Sequence, residues 1–473
     1  MAGTFLLGEQ KVRPGTYFRR ERAGYSVEGA TNGVLAVLFQ SNWGALNKNV
    51  DVDQTMLNEL EDYYGDGAEI IREGLLGGAI TVRCVRVGGN DGTCASVTLK
   101  TVAGESTPAA DAVKISAKYP GNRSFTASIR SDLVSGKRQL IIYDGTDIFS
   151  SVSFDTGTDE AKNLVEAMAN NRHFTATKIA AGVLADVTQA ALTGGTNPTV
   201  NAASYDNGTN ILERYRWNCI VADSNDNAVK SILNAFVKQS YETGHLGFAC
   251  IAGQSSETLE TRMQYAASIN DEKIVYVLNG WTSTDGITYD GWRAAARIGG
   301  MISRVETNSS LTHTVISNAF ELIEPLTNGE MIQAEQKGCL VLSLNDEDQI
   351  WIDNAINTLI TEGTDQDAGW KKIRRTKCRF ELMDRINRTH DRLIGKINND
   401  ENGRATVVAA AQRIINEMIG EGKLVFGSYV EEDPAHPAEG DSAWFKIHVL
   451  DLDSLEKIYL TYVFRYNQTF EEE

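Results

Sequence analysis

Between residues 217 and 305 the chain alternates short apolar runs with amphipathic stretches, three times over. WNCIVADS precedes DNAVKSILNAFVKQSYE, GFACIAG precedes SSETLETRMQYAASI, and EKIVYVLNG precedes YDGWRAAARIGGMISRV. A strand that is apolar along its whole length is buried on both faces, and a helix with one apolar stripe is what covers it. Together they predict a doubly wound, mostly parallel sheet with helices on both sides.

The flanking segments have different textures. GVLAVLFQS, residues 33–41, reads as a buried strand, followed by a turn at Trp43-Gly44, helices over DVDQTMLNELEDYYG and AEIIREGLLGG, and a strand in AITVRCVRVGG. From Cys94 to about Thr193, short runs such as ASVTLKTV, AVKISAKYPGN, SFTASIRS and RQLIIYDG between turn residues predict an all-β module, with one helix near 162–170. LTGGTNPTVNAASYDNG, residues 192–208, reads as a linker. Beyond Pro325, Thr327 and Glu330 have capping-box spacing ahead of GEMIQAEQKG. GCLVLSL and QIWIDNAINTLI flank the acidic turn NDED as a hairpin, and helices are expected over 380–397 and TVVAAAQRIINEMIGEG. The last strand-like runs are AWFKIHVLDL and EKIYLTYVF. At 473 residues the chain is too long for one core. The textures divide it into an arm (1–22), an α/β segment (23–92), a β module (93–195), the α/β repeat (196–324), an α+β unit (325–456) and a terminal strand (457–473).

Two terminal stretches stand out. In KVRPGTYFRR, Val12, Pro14, Thr16 and Phe18 alternate with Lys11, Arg13, Gly15 and Tyr17, a strand period interrupted by a residue with no N–H. Such a strand can lie only along a sheet edge. Near the other end, Ile458, Tyr459, Leu460, Thr461, Tyr462, Val463 and Phe464 are apolar on both faces, a pattern suited to burial within an assembly.

Chemistry-bearing motifs are scarce. After the first strand of the repeat stands Asp223-Ser224-Asn225-Asp226 rather than a glycine-rich phosphate loop, and no G-x-x-x-x-G-K-[ST] occurs. The six histidines (His173, His245, His313, His390, His436, His448) have no paired metal spacing, and the six cysteines form no C-x-x-C. Cofactors and metals are therefore not expected. Cys84, Cys219, Cys250 and Cys339 lie in apolar runs and read as buried free thiols, as in a cytoplasmic protein. Asp223, His245 and Ser255 stand in an order a serine hydrolase could use, but no G-x-S-x-G elbow surrounds the serine. No signal peptide or membrane-length apolar run is present, so membrane insertion is not expected. A net charge of −18 argues against nucleic-acid binding.

Against that acidic background, residues 371–396 carry ten basic and three acidic side chains, leaving about −25 elsewhere. On a helical wheel Leu382, Met383, Ile386, His390, Leu393, Ile394 and Ile397 share one side, while Arg385, Arg388, Arg392 and Lys396 form an opposed stripe. The stripe reads either as a solvated face or as a docking surface for an acidic partner.

In order along the chain, RPGTYF, GVLAVLFQSNWG, ELEDYYGD, ITVRCVRV, ISAKYPGNRSFTASI, LTGG, ELIEPLTNGEMIQAEQKGCLVLSL, INTLIT, IGKINNDENGRA and EKIYLTYVF resemble the tail sheath proteins of contractile phages, particularly those of Gram-positive prophages and tailocins. The resemblance runs from Val12 to Phe464. It implies a β-sandwich inserted beside a subtilisin-like α/β domain without a protease site, then a C-terminal α+β domain, with extended arms at both ends. It further implies a structural protein, not an enzyme, assembled in the host cytoplasm into six-membered rings. These rings stack into a sleeve around an inner tail tube, meet baseplate and tail terminator proteins, and contract to drive the tube through an envelope. The arm residues Val12, Pro14, Thr16, Tyr17 and Phe18, and the terminal residues Ile458, Tyr459, Leu460, Tyr462 and Phe464, would complete sheets in neighbouring copies. Arg385, Arg388, Arg392 and Lys396 would face the tube. Residues alone leave open another virion or surface binding component, and a hydrolase built on the α/β core.

Overall fold

A computed structural model of the chain describes residues 2–4, 16–18, 32–104, 108–132 and 135–464. Its centre is a seven-stranded sheet in the order Cys339–Leu340, Ile274–Val277, Phe248–Ala252, Cys219–Ala222, Val34–Phe39, Thr81–Arg86 and Asn49–Asp53. All neighbours are parallel except the last pair. Strand pleating sends Leu35, Val37 and Phe39 to one core and Ala36 and Leu38 to the other. Helices Ala68–Leu76 and Trp292–Arg304 cover the first face; Ala202–Leu212, Asn227–Glu242 and Leu259–Ile269 cover the second. The α/β repeat thus shares one sheet with the 34–86 segment, and the chain between them is an insertion.

Two expectations are corrected here. The start of the helix expected over 51–65 is instead the edge strand Asn49–Asp53, antiparallel to Thr81–Arg86, and only a 3₁₀ turn and the short helix Leu60–Tyr64 follow. The stretch read as a linker contains the helix Ala202–Leu212, started by a capping box between Asn201 and Ser204. Its Gly208 sits flush on the sheet: a Cβ there would lie 2.7 Å from Val87 and 2.8 Å from Leu38.

The insertion is built from two antiparallel sheets, Asp147–Phe154, Arg138–Asp144, Phe125–Ser131 and Val187–Ala191 in one, Phe174–Lys178, Asp111–Ala117 and Ser96–Lys100 in the other. Both contribute to one core, flanked by helix Glu160–Ala167. Trp43, from outside the insertion, plugs that core, edge-on to Tyr119 and Phe125 at ring-centroid distances of 5.3 and 4.9 Å. Beside it the buried Arg86 guanidinium donates to the carbonyls of Ser41, Gly44 and Pro120.

The hairpin expected around NDED is Leu342–Leu344 paired with Ile350–Ile352, and the Thr327–Glu330 capping box opens helix Asn328–Gln336. Helix Ile373–Asp391 joins two cores. Ile373 and Phe380 enter the central one, while Cys378, Leu382 and Ile386, on another side, pack with helix Glu401–Gly420. A two-stranded sheet, Tyr429–Glu432 with Phe445–His448, completes this C-terminal unit.

Candidate functional site

The hydrolase candidates are dispersed. Asp223 accepts from the Tyr205 hydroxyl at 2.5 Å and from the Gln40 N–H at 2.8 Å. His245 stacks on Trp217 and accepts its backbone N–H at 3.3 Å; burial first, then Arg216 and Arg83, push its pKa down to about 4. Ser255 donates to Asp290 at 2.6 Å. Each group has a structural partner, and none contacts the others. Among the described residues no cluster of three or more His, Cys, Asp or Glu is placed to hold a metal ion, and no helix is long and apolar enough to cross a membrane.

Much of the basic run serves the interior. Lys377 is buried, donating to the carbonyls of Ile302, Ser303 and Val305 at 2.7, 2.9 and 2.6 Å, so a cation sits at the C-terminal end of helix Trp292–Arg304. Burial pushes its pKa down to about 7. Lys371 donates to the Glu335 carbonyl. Lys372, Arg374, Arg375 and Arg379 hold the segment 451–456 against the domain.

The helix bearing the predicted stripe ends at Asp391, earlier than the expected 397, so Arg392 is its C-cap and Lys396 lies in the turns beyond. Ile394, expected on the apolar side, is 72% exposed. Arg385 forks onto Glu421 at 2.8 and 2.9 Å and also meets Glu381; Arg388 pairs with Asp384 one turn back. A continuous four-residue stripe on one helix face is therefore not what folds. Two of its members are neutralised within the chain, and the other two lie at and beyond the helix end.

The C-terminal stretch is the opposite case. Ile458, Tyr459, Leu460, Tyr462 and Phe464 form no strand pairing and are largely exposed, Tyr459 at 88% and Phe464 at 92%. The terminal strand expected here is therefore not formed within the chain, which leaves apolar side chains and unpaired backbone groups open to water. In the same unit, Phe426, Tyr429, Trp444, Ile447 and Leu450 expose apolar surface on and around the two-stranded sheet. This exposed apolar surface was not anticipated; the only hint was aromatic residues lying among glycine, proline and acidic neighbours in 425–445.

At the other end, Thr16–Phe18 pairs in parallel with Ala2–Thr4 of the same chain. Val12 and Pro14 lie outside the described residues.

Residues 199–358 match the family model described as the phage tail sheath protein central domain. The sheath tail protein of Desulfitobacterium hafniense shares the fold over 94% of this chain and 99% of its own, with 20% sequence identity and a TM-score of 0.72. The anti-feeding prophage helical sheath in its contracted state aligns over 96% of this chain and 99% of its own, with 9% identity and a TM-score of 0.53. An uncharacterised protein of Bacillus subtilis (strain 168), YqbK, is 20% identical over 393 residues, 78% of each chain. The chain thus carries the central domain of the phage tail sheath proteins, a structural and non-enzymatic family, inside a fold shared with sheath proteins over nearly its whole length.

Proposed function

We propose that this chain is the subunit of a contractile tail sheath. Copies stack as six-membered rings around an inner tube, meet baseplate and terminator proteins at the ends, and contract to drive the tube through an envelope. The observation that carries this reading is the bare apolar segment 457–464 in a unit whose own small sheet has open edges. A two-stranded sheet is marginal alone, and added strands stabilise it. Each donated strand contributes a few hydrogen bonds at roughly 0.5–1.5 kcal/mol net apiece, with apolar burial at about 25 cal/mol per Å² on top.

Because donor and acceptor are different surfaces, the contact is heterologous and propagates as a helix. The contracted helical sheath of the anti-feeding prophage, whose fold this chain shares, supports the same reading. The arm with Val12, Pro14, Thr16, Tyr17 and Phe18 acts likewise on a different neighbour. Within this scheme the 93–195 unit is a β-sandwich on the outside, the 196–324 unit is a subtilisin-like core stripped of protease chemistry, and Arg385, Arg388, Arg392 and Lys396 lie on the tube side.

Negative-stain microscopy tests it. Purified full-length protein is expected to form long hollow tubes, and chains lacking 1–19 or 457–473 none. Small closed oligomers from the full-length chain would refute the sheath assignment. Normal tubes from the chain lacking 457–473 would refute strand donation.

A further inference from the structure

The root of the C-terminal segment is held at two points of unequal strength. At the first, the backbone is paired: Val425 N–H donates to the Leu450 carbonyl at 2.7 Å and Leu452 N–H to the Lys423 carbonyl at 3.2 Å. Asp451 there accepts Nε and Nη2 of Arg375, both at 2.8 Å, and Nε of Arg379 at 3.1 Å, with its side chain 6% exposed. Two rigid guanidinium forks on one buried carboxylate make a strong, directional clamp.

The second point is Glu456. It takes Lys372 and the hydroxyls of Ser310 and Thr312, at 3.1 and 3.0 Å. Burial would raise its pKa, but Lys372 and the hydroxyls hold it below the usual glutamate range, so it is ionised at neutral pH. This clamp rests on one ammonium, a compact charge on a flexible stem, whose side chain is 22% exposed. Arg374 adds a short hydrogen bond to the Leu452 carbonyl at the first point, and between the two points, among the described residues, only the Asp453 contacts of 3.9 Å tie the chain to the basic helix. From residue 453 to 464 no backbone-to-backbone hydrogen bond forms among the described residues.

We propose that residues 451–456 are a strap that sets the length of the free C-terminal segment, with the Asp451 clamp permanent and the Glu456 clamp releasable. With Glu456 seated, the free part starts at Lys457. With it released, residues 453–456 join the free part and lengthen it by about 13 Å at ~3.3 Å per residue. Because Ser310 and Thr312 follow helix Trp292–Arg304 of the central unit, displacing that loop is one way to open the clamp. The inference rests on the reading that 457–464 reaches a neighbour, and it supplies what such a link needs when subunits change spacing.

The test is trypsin cleavage after Lys457 in the dilute, unassembled full-length protein, followed by mass spectrometry and referred to a synthetic peptide of residues 450–464. A protease needs several extended residues on each side of the bond, which a seated Glu456 withholds. Lys372→Met, which opens the clamp without altering the cleaved sequence, is expected to raise the rate about tenfold, the factor that corresponds to about 1.4 kcal/mol of clamp stability. Raising NaCl from 0.05 to 0.5 M should speed the wild type but not the variant, relative to the peptide. Thr312→Val, weakening the same clamp from the central unit, should give a smaller increase and decides the matter if Lys372→Met folds poorly. Wild-type cleavage rates in the folded variants would overturn the strap. Missing tubes in microscopy would overturn the sheath reading and leave these rates as they are.

Discussion

Asp223 shows how a side chain legible as polar can have illegible partners. It ends a strand of the central sheet, and desolvation above all pushes its pKa up to about 6, against the pull of the Tyr205 hydroxyl and the Gln40 N–H. A raised carboxyl pKa means that the folded state binds a proton the unfolded chain does not. This group therefore adds stability as pH falls from above 6 toward 4, and withholds it at pH 7.5. Asn fits the site, accepting from Gln40 and donating to the Tyr205 oxygen. Asp223→Asn is expected to stabilise the protein by on the order of 1 kcal/mol at pH 7.5 and by clearly less at pH 5, read as the difference in Tm. An equal effect at both pH values would show that the carboxylate bears no desolvation penalty. Tyr205 went unnoticed because it lies in a stretch rich in Ser, Asp, Asn, Gly and Thr, poor helix formers that packing against the sheet overrides. The arginines repeat the lesson: a basic run is visible in sequence, but Glu421 and Asp451, brought in from later in the chain, decide which charges are already spent.

At the scale of elements, periodicity was a reliable guide where it was long. The three strand–helix repeats fold where their patterns place them, because apolar runs this short, set between amphipathic helices, fit the buried strands of a parallel sheet. Asn49–Asp53 escaped notice although Val50 and Val52 alternate with Asn49, Asp51 and Asp53, since five residues of alternation also fit the start of a helix. Trp43 is the element-scale joint that sequence could not reveal: it reads as a turn residue, yet it fills the core of the insertion. Gly121 fits the same joint, where a Cβ would lie 1.9 Å from the Asn42 carbonyl oxygen. Trp43→Ala is expected to cost about 3–5 kcal/mol, concentrated in the insertion. Limited proteolysis should then cut within residues 93–195 well before the central sheet; uniform sensitivity along the chain would contradict such a local joint.

For the whole molecule, a net charge of −18 means that copies repel until specific contacts form. Arg392 and Lys396 are exposed just past helix Ile373–Asp391, and the proposed sheath reading assigns them to the tube side. Arg392→Glu combined with Lys396→Glu is expected to abolish sheath–tube co-assembly at 0.1 M salt while sheath self-assembly persists, as seen by co-sedimentation. Unchanged co-sedimentation would remove these residues from the tube side. The apolar character of 458–464 was visible from composition, but the exposed apolar surface around Tyr429–Glu432 and Phe445–His448 was not, because its residues are scattered among glycine, proline and acidic neighbours. The insertion leaves and rejoins the sheet through paired strands of chain, with Gly89 N–H donating to the Thr199 carbonyl at 2.8 Å and Thr93 bridged to Thr196. Its two ends therefore meet like the halves of a socket. Lineages can exchange, enlarge or shed what is plugged in there without redesigning the sheet, provided that Trp43 changes too, since it would otherwise be left bare in water.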